Sequence, residues 1–530
     1  STNLSVLLLE AGDASQYELG GKDLISFDGK EMPYTPFDVP YYWSDVSLMP
    51  QYHWNVSNVF VAKALGGCGI HNAMLYVRAL PSDIDSWQLG PTWTWDIALN
   101  IYLSIESYIG SIVPYHGYNG TVQTSKKKLF FGAKMIELAT LTEIDSLSNQ
   151  FLAACIQKGI PLTNDFNAPD KRIGAGVYNF NIRNGIRESA AKVFLSPLLT
   201  NGVSKHPRFT LLLNTTAENI QLDNGNAKGA VVINARGERE FIRASRAVVV
   251  TAGAIHTPKL LTLSGIAAKD ILNDLDIPIQ VDSPLVGKNL QDHPAIAMNF
   301  KASHPLTMNI SHAWEDYLSS RRGWLSTTGL STGAFFATPG STIPDLQLTF
   351  FPRKSEPQWA SNASEQEILF TIALLNPEAR NRVVVKSKVA HEPCEVMPEI
   401  PEATSEHLSD MDAHKLLYGI EIVRELVKAA ALAPLLGDEL MPGGNLQSKK
   451  VLLNWIHFNV YRNSHWVGSA KMGSDPSTSV VSPSLLVWNT SNLFVADASV
   501  IPNIPNGNVH STVVMVASHA SKLIASMISY

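Results

Sequence analysis

Short apolar runs that stop at polar or turn residues recur along the chain and predict buried strands. Residues 4–9 form the first run, which ends at Glu10, and residues 492–496 form another, which ends at Asp497. Neither run alternates between apolar and polar positions, as is typical of parallel strands that are covered on both faces. These two runs therefore predict strands of a parallel sheet, each followed by an acid.

A third buried strand is predicted at residues 247–250, and it leads through Gly253 into a helical pattern at 257–265 with Pro258 in the first turn. A strand, a glycine turn and a helix in succession indicate a nucleotide site, although many α/β proteins contain this element. Shorter strand-like runs, separated by turn residues, occur at 209–213, 219–222, 230–234 and 241–243.

The middle of the chain predicts a second domain, built on an antiparallel sheet. Its strand-like runs lie at 174–183, 345–351, 367–375 and 382–386. Helical patterns along the whole chain cover 87–105, 147–158, 188–199, 410–436 and 511–527. The order of elements thus predicts an α/β protein, and 530 residues are too many for one simple core.

Charge and hydropathy exclude two classes of partner. The net charge is −6, and no basic run is longer than Lys126-Lys127-Lys128, so we expect no nucleic-acid binding. No apolar run approaches the ~20 residues that span a bilayer, so we expect no membrane insertion.

Three cysteines fit no zinc spacing and leave room for at most one disulfide, which would join Cys155 and Cys394 if one forms. No metal site is predicted. Seven Asn-x-Ser/Thr sites and the lack of a signal peptide suggest a processed, secreted glycoprotein. These sites are at Asn3, Asn55, Asn119, Asn214, Asn309, Asn362 and Asn489.

A glycine-rich stretch at residues 62–76 contains the first candidate site residues. Gly66, Gly67 and Gly69 stand within four positions, and without a Cβ atom they let the backbone approach a flat or charged group closely. The polar and small residues that follow are His71, Asn72, Ala73 and Met74. Taken alone, the stretch is equally consistent with a tight turn and with a binding site.

Glu10 is a second candidate, because a dinucleotide-binding fold places its ribose contact at the carboxyl end of such a strand. The Gly-x-Gly-x-x-Gly turn that binds the pyrophosphate would lie about 20 residues upstream, before Ser1. Glu10 is therefore either a ribose contact or a charge that faces solvent.

Four separated motifs resemble those of the glucose–methanol–choline flavoprotein oxidoreductases, in the same order and over essentially the whole chain. The glycine-rich stretch, extended to Asp85, resembles the first signature of the family, and residues 254–266 resemble the second. Residues 286–294 resemble its central motif, and residues 465–473 resemble the segment that carries its catalytic histidine.

Within that family, His465-Trp466 and the segment around Asp497 and Asn508 are similar to the flavin domain of fungal cellobiose dehydrogenase. The segment from Gly67 to Asn72 instead resembles choline oxidase and pyranose dehydrogenase. Two positions depart from the family pattern: Cys68 replaces a small hydroxyl or glycine, and Ala267 replaces a glycine.

The resemblance implies a Rossmann-like FAD-binding domain and a substrate domain with an antiparallel sheet flanked by helices. The FAD-binding domain would be discontinuous and consist of residues 1–105, 190–300 and 465–530. The substrate-binding domain would consist of residues 106–189 and 301–464.

The resemblance also implies a reaction in which hydride passes from an alcohol carbon to flavin N5 while a base removes the hydroxyl proton. His465 would be that base, since imidazole has a pKa of about 6.5, and Asn508 would donate to the alkoxide. His510 would face the pyrimidine edge of the flavin, at the positive end of a helix. His71 would either form a covalent bond to the flavin 8α-methyl or lie beside the ring without one.

Other residues would contact the rest of FAD: Glu10 the adenosine ribose, Ala217 the adenine, and Asp497 with Ala498 the pyrophosphate. The complete set of cofactor-binding residues implied is Glu10, Gly66, Gly67, Gly69, His71, Asn72, Ala73, Met74, Ala217, Gly253, Asp497, Ala498, His510, Ser511 and Thr512.

The expected substrate is a primary or anomeric alcohol of a sugar or oligosaccharide, and the electron acceptor is oxygen or a quinone. Two alternatives are an aryl-alcohol oxidase and a relative that is inactive because the phosphate-binding turn is not in the chain.

Overall fold

The computed structural model describes residues 4–56, 59–110, 112–126, 143–304, 310–352, 367–399 and 408–528. The α-helices in these ranges are α1 (Trp43–Val46), α2 (Pro81–Ser86), α3 (Trp95–Ile105), α4 (Glu143–Gln157), α5 (Ala190–Leu195), α6 (Gly253–Leu263), α7 (Lys269–Asp274), α8 (Ile310–Ser320), α9 (Asp410–Leu426), α10 (Lys449–Asn459) and α11 (His510–Ile528).

An antiparallel sheet of seven strands, as far as the described residues go, dominates the middle of the chain, and we call it the central sheet. Six strands follow one another in the order Leu436–Met441, Pro294–Ala302, Glu367–Leu374, Leu346–Phe351, Thr332–Phe336 and Gly174–Val177, and Tyr461–Arg462 also pairs with Pro294–Ala302.

Helices α4, α9 and α10 pack with the central sheet in one apolar core. The Phe151 ring of α4 stacks on Phe350 at 4.9 Å between ring centroids, and Leu416 and Ile420 of α9 are fully buried. Leu416 and Ile420 lie four residues apart on one face of their helix, where they meet the buried side of the strands.

Two of the parallel strand pairs join segments that are far apart in the sequence. Val6–Leu9 pairs with Phe209–Leu212, and Val248–Val250 pairs with Leu493–Val495. Glu10 and Asp497 follow two of these strands, as expected. Leu493–Val495 is buried, but Val6 and Leu7 are 56% and 40% exposed, because Val6–Leu9 has a single neighbouring strand among the described residues. The predicted burial of residues 4–9 on both faces is therefore wrong.

Other strands form further sheets. One is antiparallel and contains Thr216–Asp223, Asn226–Ile233 and Arg239–Arg243. Another contains Leu75–Tyr76, Asn179–Phe180, Val122–Lys126 and Glu106–Ile109, and a third is the pair Asn381–Val385 and Cys394–Pro398.

A second apolar core joins segments that are far apart in sequence. It includes Leu261 of α6, Val495 at the end of its strand, and Met515 and Val516 of α11, all fully buried. Helix α11 is long and apolar enough to cross a membrane by length and composition alone. Its buried residues instead belong to this core. These two cores show which segments of the chain pack together. The domain limits given above remain a prediction.

A cluster of buried charges lies between α3 and the strand Val122–Lys126. Glu106 accepts from Arg78 Nη2 at 2.5 Å, from Thr124 Oγ1 at 2.5 Å and from the Gly117 amide at 3.0 Å. His116 bridges two acids, with Nδ1 2.8 Å from Glu106 Oε2 and Nε2 2.7 Å from Asp165 Oδ2. The side chains of Arg78, Glu106 and His116 are fully buried.

Several predicted helix limits are wrong, and tertiary contacts explain why. The helix predicted at 410–436 ends at Leu426, because Leu436–Met441 pairs with Pro294–Ala302 as a strand. The helix predicted from residue 257 begins at Gly253, because Asp497 accepts the Gly253 amide at 2.9 Å. Pro258 consequently lies inside that helix and not in its first turn.

Two other predicted helices are shorter than expected. Only Trp95–Ile105 of the pattern at 87–105 is α-helical, where Thr94 caps the helix by accepting from the Ile97 amide. Only Ala190–Leu195 of the pattern at 188–199 is α-helical, because Pro197 begins a tighter turn and Leu199–Thr200 forms a strand.

The one disulfide for which the sequence left room, Cys155 with Cys394, does not form, since all three cysteines are free thiols. Cys155 lies in the core of the central sheet, whereas Cys394 lies in a separate apolar cluster with Val383 and Val396. Burial raises the pKa of Cys155 to about 12, so this thiol stays protonated.

Candidate active site

The structure brings together the two predicted catalytic residues, although they are 43 positions apart. Asn508 Nδ2 lies 3.2 Å from His465 Nε2. His465 also has Nδ1 2.8 Å from His293 Nδ1 and 3.4 Å from Asn463 Nδ2. Both nitrogens of the His465 ring therefore have polar neighbours, and these neighbours fix the orientation of the ring.

Asp292 fixes the backbone that carries His465. Its carboxylate accepts the amides of His465 at 2.6 Å, His293 at 2.8 Å and Ser464 at 3.1 Å. Ser464 has a φ of +60°, so the chain turns sharply just before the histidine. Burial raises the pKa of Asp292 to about 7, against the opposing effect of these three amides.

The two histidines of the site are neutral at pH 7. Burial lowers the pKa of His465 to about 4, and burial with the neighbouring His465 lowers the pKa of His293 well below its ordinary value. A neutral imidazole has one nitrogen with a free lone pair, and this form accepts a proton. His465 is therefore held in the protonation state that a general base needs.

The loop that carries Asn508 is held by a buried guanidinium. Arg172 Nη1 donates to the Asn506 carbonyl, and Arg172 Nη2 donates to the Arg78 carbonyl at 2.6 Å. Gly507 has a φ of +141°, and a Cβ atom there would lie 2.6 Å from Val77 Cγ1. A side chain at this position, next to Asn508, would therefore clash with Val77.

The glycine-rich stretch lies against His510. Gly67–Ile70 forms a tight helical turn that follows Gly66. A Cβ atom on Gly69 would lie 3.0 Å from His510 Cε1, so this close approach needs glycine. Burial and the charge of Arg187 lower the pKa of His510 to about 4, which leaves its ring neutral.

Arg187 joins the other residues of this stretch. Its Nη1 donates to the Asn72 carbonyl at 2.7 Å and to Asn72 Oδ1 at 2.9 Å, while Asn72 Oδ1 also accepts the Met74 amide at 3.0 Å. Burial, His53 and Arg187 together lower the pKa of His71 to about 3. The His71 ring lies 5.9 Å from that of His53, edge to face.

These residues fit a flavin. Arg187 is fully buried, and its Nη2 has no hydrogen-bond partner among the described residues. An unpaired buried guanidinium nitrogen is costly and indicates an acceptor that belongs there. The first amides of α11, from His510 onward, also lack partners within their helix. The oxygens and ring nitrogens of an isoalloxazine can accept from such donors.

The remaining predicted cofactor residues contact other parts of the protein. Glu10 accepts the Gly12 amide at 2.7 Å, and Asp497 accepts Thr257 Oγ1 at 2.5 Å and the amide of Gly253. Ser511 Oγ donates to the Val77 carbonyl, and Thr512 Oγ1 lies 3.0 Å from Tyr102 Oη. The side chains of Ser511 and Thr512 are thus already used, which leaves their backbone amides for a ligand. Ala217 lies on the strand Thr216–Asp223. The Ala498 carbonyl accepts the Gly468 amide. Ala73 precedes Met74, whose φ is +59°.

Comparison with known proteins defines the class. Two family profiles described as GMC oxidoreductase match residues 26–295 and 377–517, so the chain belongs to the GMC oxidoreductase family. The predictions of the family, of its α/β fold, of FAD as cofactor and of an oxidoreductase that acts on CH–OH groups are thereby confirmed.

Particular relatives give a more detailed comparison. The chain is 28% identical over 491 residues to an alcohol dehydrogenase (acceptor) from Pseudomonas putida, covering 90% of this chain and 84% of that protein. It is 30% identical over 470 residues to an oxygen-dependent choline dehydrogenase from Brucella ovis, covering 87% and 80%. The structure of formate oxidase from Aspergillus oryzae RIB40 superposes with a TM-score of 0.83 at 20% identity, over 99% of this chain and 94% of that one.

Several residues of the site carry no signal in the sequence. Asp292 and His293 lie within a recognised motif, but nothing in that motif indicates that they contact His465. Arg187, Arg172 and Gln347 stand in ordinary strands and loops, and only the folded chain brings them to the site.

Proposed function

We propose that this chain oxidises an alcohol by hydride transfer to FAD, with His465 as the base that removes the hydroxyl proton. The observation that carries this proposal is the neutral His465, whose Nε2 lies 3.2 Å from Asn508 Nδ2. A substrate hydroxyl that lies within hydrogen-bond distance of both groups, in place of their direct contact, would give its proton to Nε2 and receive a hydrogen bond from the Asn508 amide.

The protein residues divide the work as follows. His465 accepts the proton at Nε2. Its Nδ1 lies 2.8 Å from His293 Nδ1, and this hydrogen bond orients the ring. Asn508 stabilises the alkoxide but cannot take its proton, because an amide has no basic nitrogen. Asp292 holds the His465 backbone by accepting its amide. FAD, when bound, accepts the hydride at N5, and Arg187, His510 and the glycine-rich stretch would hold its ring system.

We further propose that His71 binds the flavin covalently through the 8α-methyl carbon. Its low pKa keeps the ring neutral and nucleophilic near pH 7. Forming this bond would remove one hydrogen from the imidazole and one from the methyl group, and the two protons and two electrons would reduce oxygen to hydrogen peroxide. Mass spectrometry of the denatured protein should therefore show an added mass equal to FAD less two hydrogens.

The control for this prediction is a second histidine variant. His71→Ala should lose the added mass, whereas His206→Ala, at an exposed position, should keep it. An unmodified polypeptide mass in denatured wild-type holoenzyme would contradict the covalent bond and leave a non-covalent contact.

The substrate we propose is a sugar or oligosaccharide with a primary or anomeric hydroxyl. Three amide side chains, Asn463, Asn508 and Gln347, lie within one or two hydrogen bonds of His465, and such groups suit a ligand with several hydroxyls. The relatives named above include enzymes described as acting on alcohols and on choline, which supports the reaction but leaves the substrate to experiment.

A substrate panel under anaerobic conditions tests this choice. Mono- and disaccharides should bleach the flavin absorbance of the holoenzyme, and benzylic alcohols and choline should not. Bleaching by benzylic alcohols but not by sugars would instead make the chain an aryl-alcohol oxidase, whose fungal relative superposes with a TM-score of 0.71 at 18% identity. Reoxidation by oxygen or by a quinone in the same cuvette identifies the acceptor.

Secretion is also proposed, on the basis of the glycosylation sites. Four of the seven asparagines, Asn55, Asn119, Asn214 and Asn489, lie in the described residues, and all four are exposed. The other three, Asn3, Asn309 and Asn362, lie outside the described residues, as does most of the Lys126-Lys127-Lys128 run. Exposed acceptor sites support modification in the secretory pathway.

A further inference from the structure

Gln347 touches the site from the central sheet, although no motif includes it. It lies on the strand Leu346–Phe351 and is only 3% exposed. Its Nε2 lies 3.1 Å from Asn508 Oδ1 and 3.1 Å from Tyr178 Oη. The side-chain nitrogen of Gln347 thus has two oxygen neighbours, which matches the two N–H donors of an amide.

The Tyr178 hydroxyl determines which way the Gln347 amide faces. Tyr178 Oη lies 3.3 Å from the Leu348 carbonyl, which can only accept, and 3.4 Å from Thr349 Oγ1. When the single hydrogen of Tyr178 points to these groups, its oxygen must accept the next contact. That contact is the first N–H of Gln347, and the second N–H then points to Asn508.

The orientation of the Gln347 amide fixes the orientation of the Asn508 amide and, through it, which nitrogen of His465 carries the hydrogen. Because Gln347 donates, Asn508 must turn its Oδ1 toward Gln347 and its Nδ2 toward His465. His465 Nε2 then accepts and carries no hydrogen, so the hydrogen of the neutral ring is on Nδ1. Nδ1–H in turn donates to His293 Nδ1 at 2.8 Å. A reversed Asn508 would face Nε2 with an oxygen and favour the form of His465 that cannot take a proton there.

We propose that Gln347 is a positioning residue that keeps the Asn508 amide facing His465 with its nitrogen, and so keeps the ring in the form whose Nε2 carries no hydrogen. This inference rests on the proposed role of His465 as the base. Gln347 acts through Asn508 and not through the substrate.

Two variants test the proposal in the holoenzyme. Gln347→Leu should lower the rate of flavin reduction about tenfold, comparable with the loss of one neutral hydrogen bond, while KM changes less than about twofold. Gln347→Glu should move the acidic limb of the kcat/KM profile to higher pH by about one unit. The reason is that the carboxylate attracts the Asn508 N–H groups, so that Asn508 Oδ1 faces Nε2 and stabilises protonated His465.

A matched control separates this role from a general packing effect. Gln123 is a buried glutamine on the strand Val122–Lys126, and Gln123→Leu should leave both the reduction rate and the pH profile unchanged within about twofold. Flavin content and melting temperature of every variant report whether it has folded. Nitrogen NMR of histidine-labelled holoenzyme gives an independent readout: the Nε2 signal of His465 should shift toward the protonated position in Gln347→Glu only.

A double-mutant cycle decides whether Gln347 acts through Asn508. In an Asn508→Ala background, Gln347→Leu should have no further effect on flavin reduction. If its full effect persists there, Gln347 does not work through Asn508 and the proposal is wrong. If His465→Ala loses flavin reduction but the Gln347→Leu and Asn508→Ala effects are additive, the role of Gln347 is wrong and the proposed function still stands. Full flavin reduction in His465→Ala would overturn the proposed function as well.

Discussion

His465→Ala is expected to lower the rate of flavin reduction by about 10²- to 10⁴-fold, the range attributed to a positioned acid or base. The loss follows from geometry, because Asn508 and Asn463 are amides and cannot take the hydroxyl proton, and His293 lies on the far nitrogen of the His465 ring. Anaerobic stopped-flow measurement of flavin bleaching gives the rate directly.

The pH dependence of the wild-type enzyme tests the same assignment. Burial lowers the pKa of His465 to about 4, so its neutral, proton-accepting form predominates above that pH. We therefore expect kcat/KM to be constant at neutral pH and to fall as the pH drops through about 4. The exposed His391 provides a control, because His391→Gln should leave rate and profile unchanged. Full activity of His465→Ala with normal flavin content would remove His465 from the mechanism.

The largest effect on stability is expected for Glu106→Gln. This change removes the negative charge between Arg78 and His116, both of whose side chains are fully buried, and leaves the Arg78 guanidinium without a counter-ion. Breaking a buried pair in this way costs about 3–5 kcal/mol of unfolding free energy. Urea unfolding monitored by circular dichroism should show a clearly lower midpoint. In Glu425→Gln, which removes an exposed carboxylate beside Lys158 and Lys428, the midpoint should stay where it is.

The same cluster gives stability a pH dependence of known sign. Burial opposes the charged forms, but hydrogen bonds and opposite charges outweigh it, so the pKa of His116 is raised above 6.5 and that of Glu106 is lowered below 4.5. The contribution of His116 is complete below about pH 6.5 and is lost as the pH rises through its folded pKa. The contribution of Glu106 is complete above about pH 4.5 and is lost as the pH falls through its folded pKa. Stability from this cluster is therefore greatest between these values, and Glu106→Gln should flatten the profile. An unchanged midpoint and profile would mean that the cluster does not stabilise the fold.

Local patterns predicted the elements of the fold better than their limits. The apolar runs ending at Glu10 and Asp497 are parallel strands, as expected, but only the second is buried, since Val6 and Leu7 are exposed. Helix ends were less predictable, since they depend on distant groups. Helix α6 begins early because Asp497 receives the Gly253 amide across 244 positions, and no window of neighbouring residues contains that contact.

The site was predictable only where a motif carried it. His465 and Asn508 stand in recognisable segments, and the structure places them 3.2 Å apart between Asn508 Nδ2 and His465 Nε2. Gln347 is invisible in the sequence, because a glutamine between apolar residues on a strand has no distinctive spacing. The sequence also gives no indication of the roles of Arg187 and Arg172, since an arginine is usually exposed and only the folded structure shows that both are buried. The separation of Cys155 from Cys394 into different apolar clusters was likewise not encoded in their spacing.

The contacts of Arg172 have a consequence for how activity is acquired during folding. Arg172 meets the Asn506 carbonyl across 334 positions, and Asp292 meets the His465 amide across 173. Contacts with such large sequence separations close long loops, and chains dominated by them fold slowly. The segments with Asp292, His465 and Asn508 are thus not correctly placed by any stretch of the chain that could form early. Oxidation of substrate therefore requires that these distant segments have come together, which helix content alone does not report.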